Sequence, residues 1–285
     1  MKKLIITADD YGMCESVNRA IEACVAQKVV LSTNVMTNMA NANDAATLKR
    51  KYPYLSIGVH YNFTVGQPLS SIDQVRSLVD ENGMFLPYKE IRRKCQERTY
   101  RFDEIVREMK AQYLRYREIC GEPDYWNTHE NVHVYPKLYQ LFRDESLGYH
   151  IMKMRSHQRI FVPAKDGKSD KDLRWMIAEP LKELMLYSWQ MKSRRLGVSA
   201  PDGIMVRMNE EDKLDVDYLF GHIQWKNHDN VEMAIHPAID GNCAFFGEIT
   251  DLRVKEYKLF SSLDTVKAAK KHGIVLVGFD CIGEV

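Results

Sequence analysis

Two adjacent carboxylates close the first apolar run of the chain. The run at residues 3–7 leads through Ala8 into Asp9 and Asp10, and Gly12 follows two residues later. Because aspartate and glycine are common in turns, an ordinary turn is one interpretation. Two like charges beside a buried strand also repel each other and lose hydration, and a bound cation relieves both penalties. The pair therefore predicts either a turn or one side of a cation site.

Histidines stand at the ends of three further strand-like runs. These residues are His60 in IGVHYNFT, His129 and His133 in YWNTHENVHVYP, and His236 in VEMAIHPAID. Imidazole is a common ligand of borderline divalent ions, and carboxylate oxygen suits zinc, magnesium or manganese. One aspartate and two histidines therefore predict an open metal site. Either His129 or His133 can supply the third ligand, although the pair could instead lie on the surface of a polar loop.

The remaining histidine suits proton transfer. A histidine with a pKa near neutral is a natural proton donor to a leaving amine, and His236 falls where its predicted strand stops. This signal is weak in isolation. Four strand-like runs that each end in aspartate or histidine are a stronger observation, because nine histidines placed at random would rarely produce it.

Short apolar runs alternate with longer amphipathic stretches along the chain. The predicted strands cover residues 3–7, 29–36, 55–60, 149–154, 203–206, 231–235 and 274–278, and the predicted helices cover 16–27, 103–120, 173–196 and 263–272. This alternation predicts a mostly parallel sheet whose strands are buried on both faces. Because ligand sites of α/β proteins lie at the carboxyl ends of parallel strands, we expect the carboxylates and histidines to converge there.

Length and charge narrow the class of protein. The chain has 285 residues, 45% of them hydrophobic, and a formal net charge of +1. This size accommodates one large core or two smaller ones. We expect a single domain over residues 1–285, with irregular insertions near 82–101 and 163–172. The balanced, scattered charge predicts a small-molecule partner and no nucleic acid.

Hydropathy and cysteine usage add two expectations. No run approaches the ~18 apolar residues that span a bilayer, and the first residues lack the apolar core of a signal peptide. We therefore expect a cytoplasmic protein without a membrane span. The six cysteines are dispersed and include no C-x-x-C pair, which predicts free thiols rather than a disulfide framework or a zinc knuckle.

The chain contains four ordered motifs, TADDYG, GVHYNFT, NTHENVHVYP and EMAIHPAID, and closes with LRVKEYKLFSSLDTVKAAKKHGIVLVGF. Together they resemble the YdjC-like carbohydrate deacetylases, a family that includes chitooligosaccharide (chitin disaccharide) deacetylases. The resemblance implies a distorted (β/α) barrel of the glycoside hydrolase/deacetylase type with mostly parallel strands. It also implies a divalent metal ion, magnesium or zinc, and hydrolytic removal of an N-acetyl group from a small amino sugar or chitooligosaccharide.

The same resemblance implies roles for individual residues. Asp10, His60 and His129 would hold the metal ion, Asp9 would act as general base, and His236 as general acid or oxyanion stabiliser. A three-ligand metal ion with open positions acidifies water and polarises a carbonyl group, so this set suits amide hydrolysis.

Substrate contacts are expected from four neighbours of these groups: His133, Arg155, Tyr61 and Asn62. Arg155 follows a strand-like run and faces either the site or solvent. Tyr61, like Tyr11 and Trp126, either stacks on a sugar ring or belongs to the core. Homo-oligomers such as dimers are common among similar proteins, and the resemblance leaves the oligomeric state open.

The third motif departs from the family pattern. Asn127 replaces an aspartate, Asn131 replaces the middle histidine, and Ala238 stands in the fourth motif where glycine is common. These departures leave the metal ligands in place but keep two alternatives open. One is a deacylase of another N-acylated substrate, such as a glycolipid headgroup, and the other is a non-catalytic sugar-binding barrel.

Overall fold

The apolar runs form one parallel sheet in the computed structural model, which describes residues 1–97, 99–165, 173–207, 215–226, 228–246 and 249–283. Eight strands lie within these ranges: β1 Lys2–Tyr11, β2 Ser32–Val35, β3 Ser56–Tyr61, β4 Trp126–Thr128, β5 Arg159–Val162, β6 Gly203–Arg207, β7 Asn230–Ile235 and β8 Ile274–Val277. Neighbouring strands follow the order β4-β3-β2-β1-β7-β6-β5, and β8 pairs with the first residues of β1.

The two ends of this sheet approach each other through isolated bridges. Trp126 of β4 bridges Met154, and Lys153 bridges Ser199 shortly before β6. Residues 152–155 therefore lie between strand β4 and the chain that enters β6. The sheet curls into a distorted (β/α) barrel, as the sequence predicts.

Helices connect the strands. Within the described ranges they are α1 Glu15–Ala26, α2 Ala45–Lys51, α3 Tyr88–Glu97, α4 Phe102–Cys120, α5 Pro136–Gly148, α6 Leu173–Arg195, α7 Val216–His222, α8 Thr250–Phe260 and α9 Leu263–Lys271. Helix α9 shows how the sequence sets both ends of a helix. The Oγ of Ser262 accepts the amide of Asp264 at 3.2 Å, and Gly273 adopts a left-handed φ of 66° after the last turn.

Most predicted strands and helices are confirmed within a few residues, with one exception among the strands. Residues 149–154 form only the bridges at Lys153 and Met154. Tyr149 still caps helix α5, and His150 adopts a left-handed φ of 61°. The first residues of this apolar run therefore complete the end of helix α5. The extended segment that follows is too short to form a full strand.

The prediction of an irregular stretch at 82–101 is wrong, because helix α3 occupies much of it. Arg93 pairs with Glu90 at 2.9 Å and with Glu97 at 2.6 Å, at the helical spacings of three and four residues. The buried residue of this helix is Ile91. Pairs of opposite charge on the exposed side, such as those of Arg93, add to its stability. Of the second expected insertion, residues 166–172 lie outside the described residues.

Alternation along β1 divides its side chains between two environments. Leu4, Ile6 and Ala8 belong to the large hydrophobic cluster, whereas Ile5 packs with Tyr125 in a small separate cluster. Because successive side chains of a strand point to opposite faces, Thr7 and Asp9 lie on the same side as Ile5. The interior of the barrel is therefore apolar at its base and becomes polar toward the carboxyl ends of the strands.

None of the described helices combines the length and hydrophobicity needed to cross a membrane. The six cysteines all lie within the described residues and form no disulfide, so the prediction of free thiols is confirmed. The single-domain organisation stays a prediction.

Candidate active site

A bulge in β1 brings both carboxylates to the same end of the barrel. In a regular strand, Asp9 and Asp10 would point to opposite faces. The pairing with β2 shifts between Ala8 and Tyr11, and Asp10 adopts a left-handed φ of 74°. Bulges re-aim side chains, and aspartate tolerates the left-handed region better than most residues. A turn at Asp10 therefore accompanies the candidate cation site, and the two interpretations of the sequence are compatible.

Asp10, His60 and His129 come together from β1, from β3 and from the residue after β4. The Oδ1 of Asp10 lies 3.2 Å from Nε2 of His60 and 2.8 Å from Nδ1 of His129, and one ligand atom of each residue lies within 4.8 Å of the others. Two ligands that each stand about 2.0–2.1 Å from a tetrahedral zinc ion are roughly 3.4 Å apart. The donor set therefore fits a divalent ion after a small outward movement of the side chains.

The charges around these ligands compensate each other. Arg253 of α8 donates from Nη2 to Oδ2 of Asp10 at 2.6 Å. Burial raises the pKa of Asp10, but the charges of His129 and Arg253 outweigh burial and hold this pKa well below its usual value. Burial lowers the pKa of His129, but the Asp10 carboxylate outweighs burial and raises it. A metal ion held by these residues would compete with that proton.

Asp9 is held as a buried carboxylate. Arg155 donates from Nη1 to Oδ2 at 2.7 Å and from Nη2 to Oδ1 at 2.8 Å, and Nδ2 of Asn34 donates to Oδ1 at 2.6 Å. Burial raises the pKa of Asp9, but the charge and hydrogen bonds of Arg155 outweigh burial and lower this pKa far below its usual 3.8. Of the two interpretations of Arg155, the structure supports the one that faces the site.

Arg155 also forms an ion pair with a second carboxylate, that of Glu232. Its Nε donates to Oε1 of Glu232 on β7 at 2.9 Å, and the side chains of both residues are almost fully buried. A guanidinium between two carboxylates keeps its charge in a buried position because each side of its fork has an anionic partner. The Asp9 carboxylate is therefore fixed in place by a buried ion-pair chain.

His236 follows β7 and faces Asp9. Its Nε2 lies 3.7 Å from Oδ2 of Asp9, and its backbone amide donates to Oε2 of Glu256 at 2.6 Å. Burial lowers the pKa of His236, and the carboxylates of Asp10 and Asp9 offset only part of this effect. At neutral pH, His236 is therefore a neutral imidazole beside a carboxylate.

A cavity of about 520 Å³ opens over these groups. Asp9, His60, His129 and His236 line it, and its size lies within the usual range of ~300–1,000 Å³ for small-molecule sites. Phe245 also lines the cavity and is 37% exposed. The cavity thus joins a charged floor to an aromatic rim.

Two expected substrate contacts lie away from this cavity. Tyr61 is fully buried and packs against Trp126 and Phe142, so it belongs to the core. The Oδ1 of Asn62 accepts the backbone amides of Thr64 and Val65, so this side chain shapes the loop after β3. Neither side chain is exposed to a substrate in the cavity.

His133 is also buried rather than exposed to the cavity. Its Nδ1 lies 2.6 Å from Oγ1 of Thr128, and its Nε2 lies 2.5 Å from Nε2 of His157. Burial lowers the pKa of both histidines, to about 3 for His157. The two rings are therefore neutral and share one N–H between their Nε2 atoms. His129, and not His133, joins the proposed metal ligands.

The sequence analysis assigned no role to three polar residues around the site: Asn34, Glu232 and Arg253. Asn34 lies in the fully buried strand β2 and Glu232 lies among apolar residues of β7, and a polar side chain in a buried strand needs a buried partner. A polar side chain within a predicted buried strand is the signal that could have identified both residues. Arg253 stands three residues before Glu256 on α8, a spacing that places both side chains on one face of the helix.

The profile of the YdjC-like protein family matches residues 3–271. The chain belongs to this family. The match includes every residue of the site described above, from Asp9 to Glu256. The family assignment that the four motifs suggested is confirmed.

Two curated relatives of this YdjC-like protein are named chitooligosaccharide deacetylase. They come from Yersinia pestis (strain Pestoides F) and Yersinia pseudotuberculosis serotype O:1b (strain IP 31758), and each is 34% identical over 155 residues. The matched region is 53% of this chain and 59% of each relative, so the chain spans less than two thirds of their length.

A solved structure shares the fold of this YdjC-like protein over nearly its whole length. It is a protein of Enterococcus faecalis V583, described as a proposed cellobiose-phosphate cleavage protein. The two structures superpose with a TM-score of 0.73 and 24% sequence identity, over 98% of both chains. At this identity, the likeness establishes the fold alone.

Proposed function

We propose that this YdjC-like protein is a metal-dependent hydrolase that removes an N-acetyl group from a small amino sugar or chitooligosaccharide. The observation that carries the proposal is the convergence of Asp10, His60 and His129 beside the Asp9–His236 pair in one cavity. The names of the Yersinia relatives support the substrate class.

Asp10, His60 and His129 would hold the metal ion. Two imidazole nitrogens and one carboxylate oxygen favour zinc, because magnesium prefers an all-oxygen set with several water molecules. When bound, such an ion polarises a carbonyl group and acidifies water. Asp10 is kept ionised for this role by Arg253, whose Nη2 lies 2.6 Å from the second carboxylate oxygen.

Asp9 and His236 would move the proton. Asp9 is ionised and His236 is neutral at neutral pH, so Asp9 is ready to accept a proton from water, whereas His236 needs one before it can donate. A carboxylic acid is ordinarily a stronger acid than imidazolium, and Arg155 lowers the pKa of Asp9 further, so a proton would pass favourably from Asp9 to His236. The 3.7 Å between Oδ2 and Nε2 closes by a small side-chain movement or a bridging water. His236 then protonates the departing sugar nitrogen.

Arg155 and Phe245 would complete the site in different ways. Arg155 orients the Asp9 carboxylate through two hydrogen bonds, and because it also lines the cavity it would lie beside the bound substrate. Phe245 offers a partly exposed ring at the rim, which suits the apolar face of a sugar. No substrate contact is proposed for Tyr61, Asn62 or His133. These residues would support the site by packing in the core and by shaping loops.

Acetate release tests the proposal directly. Protein freed of metal by chelation and reloaded with zinc should release acetate from N,N′-diacetylchitobiose, whereas the His129→Ala variant should neither bind zinc stoichiometrically nor release acetate. Tight zinc binding by the native protein without acetate release from N-acetylated chitooligosaccharides would overturn the proposed activity. Equal release with and without zinc would overturn the role of the metal.

A further inference from the structure

Asn127 lies between the ligand His60 and the residues that hold Asp9. It pairs with His60 across β3 and β4, and its side chain is fully buried. One end of its amide group lies 2.5 Å from Nδ1 of His60. The other end lies 3.1 Å and 3.2 Å from Nη1 and Nη2 of Arg155, and 3.0 Å from Nδ2 of Asn34.

The two ends of the Asn127 amide face groups with different hydrogen-bonding requirements. Arg155 and the Nδ2 of Asn34 can only donate hydrogen bonds, so the amide oxygen of Asn127 satisfies them best. The amide nitrogen then donates to Nδ1 of His60 at 2.5 Å. Because Nδ1 accepts, the ring proton of His60 resides on Nε2, which faces Oδ1 of Asp10 at 3.2 Å. In this arrangement each donor meets an acceptor.

A metal ion on His60 requires the reverse arrangement. The Nε2 of His60 has to offer its lone pair, so the ring proton moves to Nδ1, and Nδ1 needs an acceptor. Asn127 can supply one only by a half-turn of its amide, which places its oxygen toward His60. Its nitrogen then faces the donors of Arg155 and Asn34, and Oδ1 of Asp9 lies 3.4 Å away as a distant acceptor.

We infer that the amide orientation of Asn127 is coupled to the ring tautomer of His60, and that this coupling weakens metal binding at the site. The inference rests on the proposed metal ligands and makes Asn127 a positioning residue that acts through His60. An aspartate at 127 would accept on both sides, from Nδ1–H of His60 and from Arg155. Residues that form hydrogen bonds with a metal ligand change metal affinity by about 10–100-fold. The Asn127→Asp variant should therefore bind zinc at least about ten times more tightly than the native protein.

The experiment compares zinc affinity in matched variants. Zinc chloride is titrated by calorimetry into the chelator-treated native protein and into Asn127→Asp and Asn131→Asp. Asn131 lines the same cavity, so Asn131→Asp adds the same charge without contact with His60. We expect a gain of at least tenfold for Asn127→Asp and a change below threefold for Asn131→Asp. Equal affinities of the two variants would overturn the inference.

Imidazole ¹H–¹⁵N correlation spectra provide a second measurement that needs no substitution. With ¹⁵N-labelled histidine, the native protein should carry the His60 proton on Nε2 before zinc is added and on Nδ1 afterwards. A proton on Nδ1 in both states would overturn the coupling. A His129→Ala control separates this failure from failure of the proposed function, because unchanged zinc affinity in that variant would refute the metal ligands themselves.

Discussion

The substitution Asp9→Asn tests the proton-transfer role most sharply. In the native protein, the two oxygens of Asp9 accept from Nη1 and Nη2 of Arg155 at 2.7 Å and 2.8 Å, and Oδ1 also accepts from Asn34 at 2.6 Å. An asparagine can retain its oxygen toward Nη2 and Asn34. Its amide nitrogen then faces Nη1, so one donor–acceptor contact becomes a donor–donor contact.

Two magnitudes follow for this variant. Loss of a positioned general base costs about 100- to 10,000-fold in kcat, which we expect for acetate release. Breaking one partner of a buried ion pair costs about 3–5 kcal/mol of unfolding free energy. The total stability of a domain is only about 5–15 kcal/mol, so folding has to be verified before activity is compared. Zinc stoichiometry should stay at the native value, because the three proposed ligands are untouched.

Glu232→Gln is the matched control. It also replaces one carboxylate partner of Arg155 by an amide, and Gln can still accept from Nε of Arg155, which lies 2.9 Å from the native Oε1. The assay measures kcat for acetate release, zinc content and urea unfolding on all three proteins. We expect Glu232→Gln to lose stability but to stay within about tenfold of native kcat, since it exchanges no proton with the substrate. If Asp9→Asn retained a kcat close to that of Glu232→Gln, Asp9 would be a structural carboxylate and not the base.

Three further outcomes are expected. His60→Ala should lose stoichiometric zinc after dialysis, because it removes one of three ligands, and native zinc content by metal analysis would contradict the assignment. Lowering the pH from 6.5 to about 3 should destabilise the native protein. In this range His157 binds a proton in the unfolded chain but stays neutral in the folded one, because burial lowers its pKa to about 3. The slope from this group is about 1.4 kcal/mol per pH unit, and His157→Gln should show a flatter urea-unfolding profile; an unchanged profile would count against a neutral buried pair. Phe245→Ala should raise KM for chitooligosaccharides and leave zinc affinity unchanged, and an unchanged KM would exclude the ring from substrate binding.

The sequence by itself determined which chemical groups stand at the ends of the strands. The runs before Asp9, His60 and His236 are mostly β-branched or apolar on both faces, with Glu232 as a polar exception, and this pattern predicts buried strands. Parallel strands bring their carboxyl ends to one mouth, so the convergence of these groups followed from local patterns. The sequence also carried the family, through the order and content of four motifs.

Only the tertiary structure decided which neighbours take part. The bulge and the left-handed φ of Asp10 turn two consecutive carboxylates to one end of the barrel, which strand alternation alone forbids. His129 reaches Asp10, whereas His133 is buried against His157. Both follow the same strand, and the sequence left either of them as the third ligand. The sequence also could not show that Arg155 pairs with Asp9, because these residues are 146 positions apart and contacts at that separation depend on how the whole chain packs.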